Sequence, residues 1–205
     1  MNEALVSALI IFSAYLAGSV PFAYLLGRLR GFDVRDHGSG NVGATNLTRL
    51  AGRRWGFAAF FLDFGKGMLA VAAAAWLAPD QIGTLLPMLA AAAVVAGHVW
   101  PVWLGFKGGK GMATSLGALL VLSPWATILA AVVWAAVFLL CRYVSLASMA
   151  AAVMLPVGDY LAARRFETEQ FSAVRLLLLG MIALFIVWRH RQNLRRLLDG
   201  SEYRF

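Results

Sequence analysis

Gly38-Ser39-Gly40-Asn41-Val42-Gly43-Ala44-Thr45-Asn46-Leu47-Thr48-Arg49 is a polar, glycine-rich stretch in a chain otherwise apolar enough for a bilayer. Gly38, Gly40 and Gly43 fit the G-x-G-x-x-G spacing of dinucleotide-binding folds, but no β-strand pattern precedes them, which disfavours that fold. Gly38 to Thr45 also imitates a phosphate-binding P-loop, yet Ala44 stands where the lysine belongs. The residue types still suit an anion. Glycines let the backbone turn tightly and aim N–H groups at one spot. Ala44 to Leu50 reads as a short helix, whose N-terminus adds a positive dipole end there. Thr45, Asn46 and Arg49 fall on one helical face. A tight surface turn is the competing reading, and the rest of the chain decides between them.

The chain has 205 residues, 61% of them hydrophobic and 14% charged. Soluble domains sit nearer ~25% charged, so the composition is that of an integral membrane protein. The net charge of +8 lies in loops between apolar runs, which favours anionic headgroups and phosphorylated substrates over nucleic acid as partners. Cys141 is the only cysteine, so an internal disulfide is excluded and thiol catalysis disfavoured. Met1-Asn2-Glu3 lacks a basic n-region, so the first apolar run reads as a retained span.

Seven transmembrane helices are expected, about Ala4–Gly27, Trp55–Ala78, Ile82–Leu104, Met112–Leu122, Trp125–Cys141, Val144–Ala162 and Ser172–Trp188. Most approach the ~20 residues that cross the hydrocarbon core, and the fourth is short. Fourteen of the eighteen Lys and Arg residues fall on one side of this arrangement. Only Arg164 and Arg165, near Glu167 and Glu169, fall on the other. The excess marks the cytoplasmic side, which puts the N-terminus outside and the C-terminus inside. Repeats and linkers are absent, so residues 1–205 read as a single membrane domain. Its polar loops, at about 36–54, 105–111, 142–148 and 189–202, all lie on the cytoplasmic face.

The second loop, Gly105-Phe106-Lys107-Gly108-Gly109-Lys110-Gly111, supplies backbone donors and two positive charges before a helix start, which again suits a phosphate or oxyanion. A positive-inside loop touching headgroups is the competing reading. In the tail, Arg189-His190-Arg191-Gln192-Asn193-Leu194-Arg195-Arg196 sets His190 and Asn193 on one helix face, and His190 can exchange a proton near neutrality. Ser145 and Ser148 follow Arg142 and are candidates for helix capping. Asp63 and Lys66 are costly in lipid and are expected to pair inside the bundle, and His98 reads as a hydrogen-bonded structural histidine. No cluster has metal-ligand spacing, and no G-x-S-x-G nucleophile elbow occurs. A headgroup transferase would need a row of metal-binding aspartates, and a transporter would favour inverted repeats. Neither pattern occurs.

The chain resembles the bacterial acyl-phosphate:glycerol-3-phosphate acyltransferases nearly end to end. The matching segments are Gly18-Ser19-Val20-Pro21, Gly38 to Asn46, Gly97-His98-Val99-Trp100-Pro101-Val102, Phe106 to Gly111, Arg142 to Ser148 and His190 to Asn193. Gln192 departs from the family, where an acidic residue is common before the asparagine. The resemblance implies transfer of a fatty acyl group from acyl phosphate to the 1-hydroxyl of glycerol 3-phosphate. It implies an all-α, multi-pass protein of the bacterial inner membrane that needs no cofactor or metal. It also brings docking of the soluble acyl-phosphate-producing enzyme into consideration. By similarity Ser39, Arg49, Lys110, Ser145, His190 and Asn193 line the active site. Gly38, Gly40, Asn41, Gly43, Thr45, Asn46, Lys107, Gly108, Gly109 and Gly111 are the expected substrate-binding residues, largely through backbone donors.

The charge asymmetry makes a direct prediction. In a Cys141→Ser background, a cysteine at Asn2 should react with an impermeant thiol reagent applied outside intact cells, and one at Gly200 only after the membrane is opened. Labelling of the Gly200 position in intact cells would break the orientation.

Overall fold

The computed structural model describes residues 2–79, 83–166 and 173–205. Among them every regular element is a helix. In chain order these are α1 (Glu3–Ser19), α2 (Phe22–Leu29), α3 (Ala44–Ala51), α4 (Arg53–Leu77), α5 (Leu85–Val99), a 3₁₀ turn (Val102–Leu104), α6 (Met112–Leu122), α7 (Pro124–Cys141), α8 (Val144–Phe166), α9 (Ala173–Arg189) and α10 (Arg191–Leu198). The chain divides into two compact units, Met1–Leu122 and Ser123–Phe205.

Five stretches are long and apolar enough to cross a membrane: Glu3–Leu29, Arg53–Leu77, Leu85–Leu104, Pro124–Cys141 and Val144–Arg165. A sixth is reached if α9 and α10, bent by 53°, count as one. Helix α6 is apolar but has only 11 residues. The expected starts at Ile82 and Ser172 lie outside the described residues, as do Glu167 and Glu169. The first expected span is not one continuous helix. Pro21 lacks an N–H and forces Val20 into extended backbone (ψ 114°), so α1 stops at Ser19 and α2 begins at Phe22.

In the first unit α1 packs on α5 and α4 on α6. Association in lipid relies on close packing, so small residues occupy the crossings. A side chain at Gly18 would strike the Val94 carbonyl, and one at Gly97 the Tyr15 carbonyl. The Tyr15 hydroxyl donates to the Trp100 carbonyl at 2.8 Å, fastening the end of α5 to α1. Asp63 and Lys66 pair within α4 at 2.7 Å, both buried, as expected of charges that cannot face lipid.

In the second unit α8 packs on both α7 and α9. Asp159 of α8 is 1% exposed; it accepts from the Ser123 hydroxyl and from Arg175 of α9 at 3.0 Å. A buried carboxylate thus ties the starts of α7 and α9 to α8, and its charge is met by donors rather than left bare in an apolar setting.

Candidate active site

In the first unit, the glycine-rich stretch is held from below and from within. Val34 and Val42 sink into a cluster with Ala23, Leu47, Ala59 and Leu104, which pins both ends of the loop between α2 and α3. Asn46, in the first turn of α3, is 1% exposed. Its carbonyl oxygen accepts the Ser39 N–H at 3.0 Å, and its amide donates to the carbonyls of Val34 (3.0 Å) and His37 (3.2 Å). Gly38 has φ +61°, and any β-carbon there would meet the Asn46 oxygen, so glycine is required. Upstream, Arg35 grips Asp33 at 2.7 Å, and those hydrogen bonds hold the Asp33 carboxyl at about 2. Ser39 is left exposed at the loop tip. Arg49, half-buried, stands in the last turn of α3, and Thr45 is half-buried in its first. Gly43 caps α3 without a side-chain hydrogen bond, and the Asn41 amide lies beside it.

The Gly105–Gly111 loop lies on the end of α5. Gly108 N–H donates to the Val99 carbonyl at 3.0 Å and Gly109 N–H to the His98 carbonyl at 3.1 Å. Lys107 is exposed and Lys110 half-buried, directly before α6. Of the backbone donors expected to serve substrate, Gly38 to Gly43 and Gly108 to Gly111, several already have partners inside the protein. The N–H groups of Ser39, Gly40, Lys107, Gly108 and Gly109 are all spent inside the protein, where they set loop shape. Asn46 likewise serves the loop backbone with both ends of its amide.

In the second unit a carboxylate absent from the expected site is the hub. Glu202 Oε1 accepts from the Ser145 hydroxyl at 3.0 Å and the Asn193 amide at 2.8 Å, and Oε2 accepts from Arg196 Nε at 2.8 Å. Ser145, Asn193 and the Glu202 side chain are buried. Burial alone would raise the Glu202 pKa, but hydrogen bonds from Arg196, Asn193 and Ser145 outweigh it and hold the carboxyl below its ordinary value. The tail beyond it returns to the α7–α8 turn, where Phe205 N–H donates to the Arg142 carbonyl at 3.0 Å. His190 sits at the α9–α10 bend, 3% exposed, with Nδ1 at 2.8 Å from the Ile186 carbonyl. A carbonyl only accepts, so Nδ1 carries a proton.

The structure therefore joins Ser39 with Asn46, and Ser145 with Asn193. Neither serine's hydroxyl behaves as the helix cap that spacing suggested: Ser145 donates to Glu202, and Ser148 accepts from Trp134 Nε1 at 3.2 Å. Glu202 was missed because it lies past the tail motif and has no periodic relation to Ser145. The available signal was an acidic residue, one of two with Asp199, in a basic tail. Among the described residues no group of three His, Cys, Asp or Glu side chains could hold a metal ion.

Apolar helices of membrane length joined by glycine-and-base loops define an integral membrane protein. The sequence profile of the glycerol-3-phosphate acyltransferases matches residues 8–200, and the chain belongs to that family. It is an acyltransferase. The glycerol-3-phosphate acyltransferase of Myxococcus xanthus (strain DK1622) is 46% identical over 97% of this chain and 99% of its own. That of Anaeromyxobacter sp. (strain Fw109-5) is 40% identical over 100% and 98%. Two crystal structures of PlsY (YgiH), an integral membrane glycerol 3-phosphate acyltransferase, share the fold. The glycerol 3-phosphate form superposes with a TM-score of 0.88 at 39% identity, covering 98% of this chain and 96% of that one. The lysophosphatidic acid form gives 0.85 at 38%, covering 98% and 95%.

The Glu202 cluster predicts a pH-dependent loss of stability. Its folded pKa is lowered, so its stabilisation is complete above the ordinary value of 4.5 and fades as pH falls through the lower folded value. Glu202→Gln should lower the thermal midpoint of detergent-purified protein at pH ~7, and the gap to the wild type should narrow at pH ~3. Equal gaps at both pH values would show that the carboxylate is not the stabilising form.

Proposed function

We propose that this chain transfers a fatty acyl group from acyl phosphate to the 1-hydroxyl of glycerol 3-phosphate, giving lysophosphatidic acid and inorganic phosphate. This is the first acylation step of phospholipid biosynthesis. The observation that carries the reading is the near-complete match to a homologue solved in glycerol 3-phosphate and lysophosphatidic acid forms. Two phosphate-bearing substrates also account for two loops that combine glycines with Arg or Lys. The acyl chain accounts for their being set among apolar helices. The proposed setting is the bacterial inner membrane, crossed seven times with the N-terminus outside, the whole chain acting as one functional domain. Docking of the soluble enzyme that makes acyl phosphate belongs to the same proposal.

Acyl phosphate is already activated, so neither a covalent acyl-enzyme nor a cofactor is required. The glycerol 3-phosphate hydroxyl oxygen attacks the acyl carbon, the carbon–oxygen bond to phosphate breaks, and the hydroxyl proton ends on the departing phosphate. That group would otherwise leave as a trianion, a stronger base than imidazole, so it is the natural resting place of the proton. Arg49 and Lys110 hold phosphate oxygens through charge-assisted contacts. Ser39 and Thr45 donate to substrate oxygens. Ser145 and Asn193 each give a donor to Glu202, which fixes their side chains within the second unit. The Nδ1 of His190 is engaged by Ile186, so its contact with substrate is through Nε2.

Phosphate release by purified protein should require acyl phosphate and glycerol 3-phosphate together. Arg49→Ala and Lys110→Ala should each lower kcat/KM by about 100-fold or more while the protein still purifies as wild type. His190→Gln, which keeps a donor but loses the base, should retain much of the turnover. A loss of ~100- to 10,000-fold in kcat with unchanged KM would instead make His190 the general base. Phosphate release independent of glycerol 3-phosphate would remove the proposed acceptor.

A further inference from the structure

The buried pair in α4 does not end at Lys66. Lys66 Nζ forms an ion pair with Asp63 at 2.7 Å and donates a hydrogen bond to the Val20 carbonyl at 2.8 Å, which the Pro21 break leaves outside the regular helices. The other neighbour of Asp63 is His98 of α5, whose Nδ1 lies 3.4 Å from the same carboxylate oxygen. At that distance the contact is electrostatic, and it sets the imidazole edge-on beside the carboxylate. The opposite edge of the ring faces the glycine–lysine loop: a β-carbon on Gly109 would overlap His98 Nε2. The main chain repeats the contact, with Gly109 N–H donating to the His98 carbonyl. His98 is 8% exposed, and Gly109 is buried. The ring is thus packed between a fixed carboxylate and the backbone of the residue before Lys110.

We propose that His98 is a positioning residue for acyl transfer. The Lys66–Asp63 pair fixes the imidazole, the imidazole sets the path of Gly109, and that path sets where Lys110 begins. This explains why an otherwise expensive buried ion pair is placed beside a helix end that carries a loop. It also explains glycine at position 109, where the backbone must touch the ring. The inference rests on the reading of the Gly105–Gly111 loop as a phosphate holder. A displacement of about 1 Å in a substrate-positioning group costs up to ~100-fold, so the effect is measurable without touching a substrate ligand.

The test is steady-state kinetics of purified His98→Ala, His98→Asn and Lys110→Arg proteins, with KM measured for acyl phosphate and glycerol 3-phosphate separately. His98→Ala should raise the KM of one substrate by ~10- to 100-fold, with kcat far less affected. It should be the same substrate whose KM rises in Lys110→Arg. His98→Asn, which keeps a polar group of similar reach beside Asp63, should recover most of the loss. A second measurement stands even where His98→Ala does not fold: in the cycle of Gly109→Ala with His98→Asn, the smaller side chain makes room for the added methyl. The two changes should therefore couple by at least about threefold in kcat/KM. An unchanged KM in His98→Ala beside a raised one in Lys110→Arg would overturn this inference alone. So would additivity in the cycle, or an Asn variant no better than Ala. An unchanged KM in Lys110→Arg would remove the phosphate reading of the loop, and the inference with it.

Discussion

One buried amide, that of Asn46, determines the shape of the loop that carries Ser39 and leads into the helix carrying Arg49. Backbone polar groups shielded from water must find partners, and a glycine-rich loop has no side chains of its own to supply them. Asn46 offers an acceptor and two donors, and all three are used, on Ser39, Val34 and His37. The apolar anchors Val34 and Val42 bring the loop within reach, and Gly38 provides the space. The loop is thereby held in one conformation, and the ordering cost of its backbone is met on folding.

The same solution recurs with different chemistry. In the first unit Asp63 gathers Lys66 and His98 inside the helices, and in the second Asp159 gathers Ser123 and Arg175. Glu202 gathers Ser145, Asn193 and Arg196, fastening the tail to α8 and α10. Each hub is a carboxylate met by positive or donor groups, at least one of them from a distant part of the chain, which is how a buried carboxylate becomes tolerable. The bulk of each helix interface is left to small residues and close backbone contact, as at Gly18 and Gly97. Hubs therefore govern where polar segments go, and apolar packing governs where helices go.

This division explains what could be read from the sequence. Helices were legible because apolar runs of membrane length and the short α6 are one-dimensional features. The pairing of Asp63 with Lys66 was legible because they share a helix. The break after Ser19 was visible as Pro21 but could not be weighed against the apolar run around it. Glu202 was illegible, since its partner Ser145 lies 57 residues away and nothing local links them. The use of the Gly108 and Gly109 N–H groups by α5 carbonyls was illegible for the same reason. Glycine signals a permissive backbone but not where its donors point. Motifs identified the loop residues; only the fold shows which of them are spent holding the loops in shape.

The most direct measurement is amide hydrogen exchange of the segment 34–43 in Asn46→Leu, an apolar replacement of similar size, against the wild type. Exchange should be faster at Ser39 and its neighbours with a parallel loss of acyl transfer, while α4 and α5 stay as protected as before. Each buried group left unpaired costs about 1–3 kcal/mol, enough to open a loop while the helices stay folded. Wild-type exchange in that segment together with wild-type turnover would show that something other than the Asn46 amide shapes the loop, and would contradict the account.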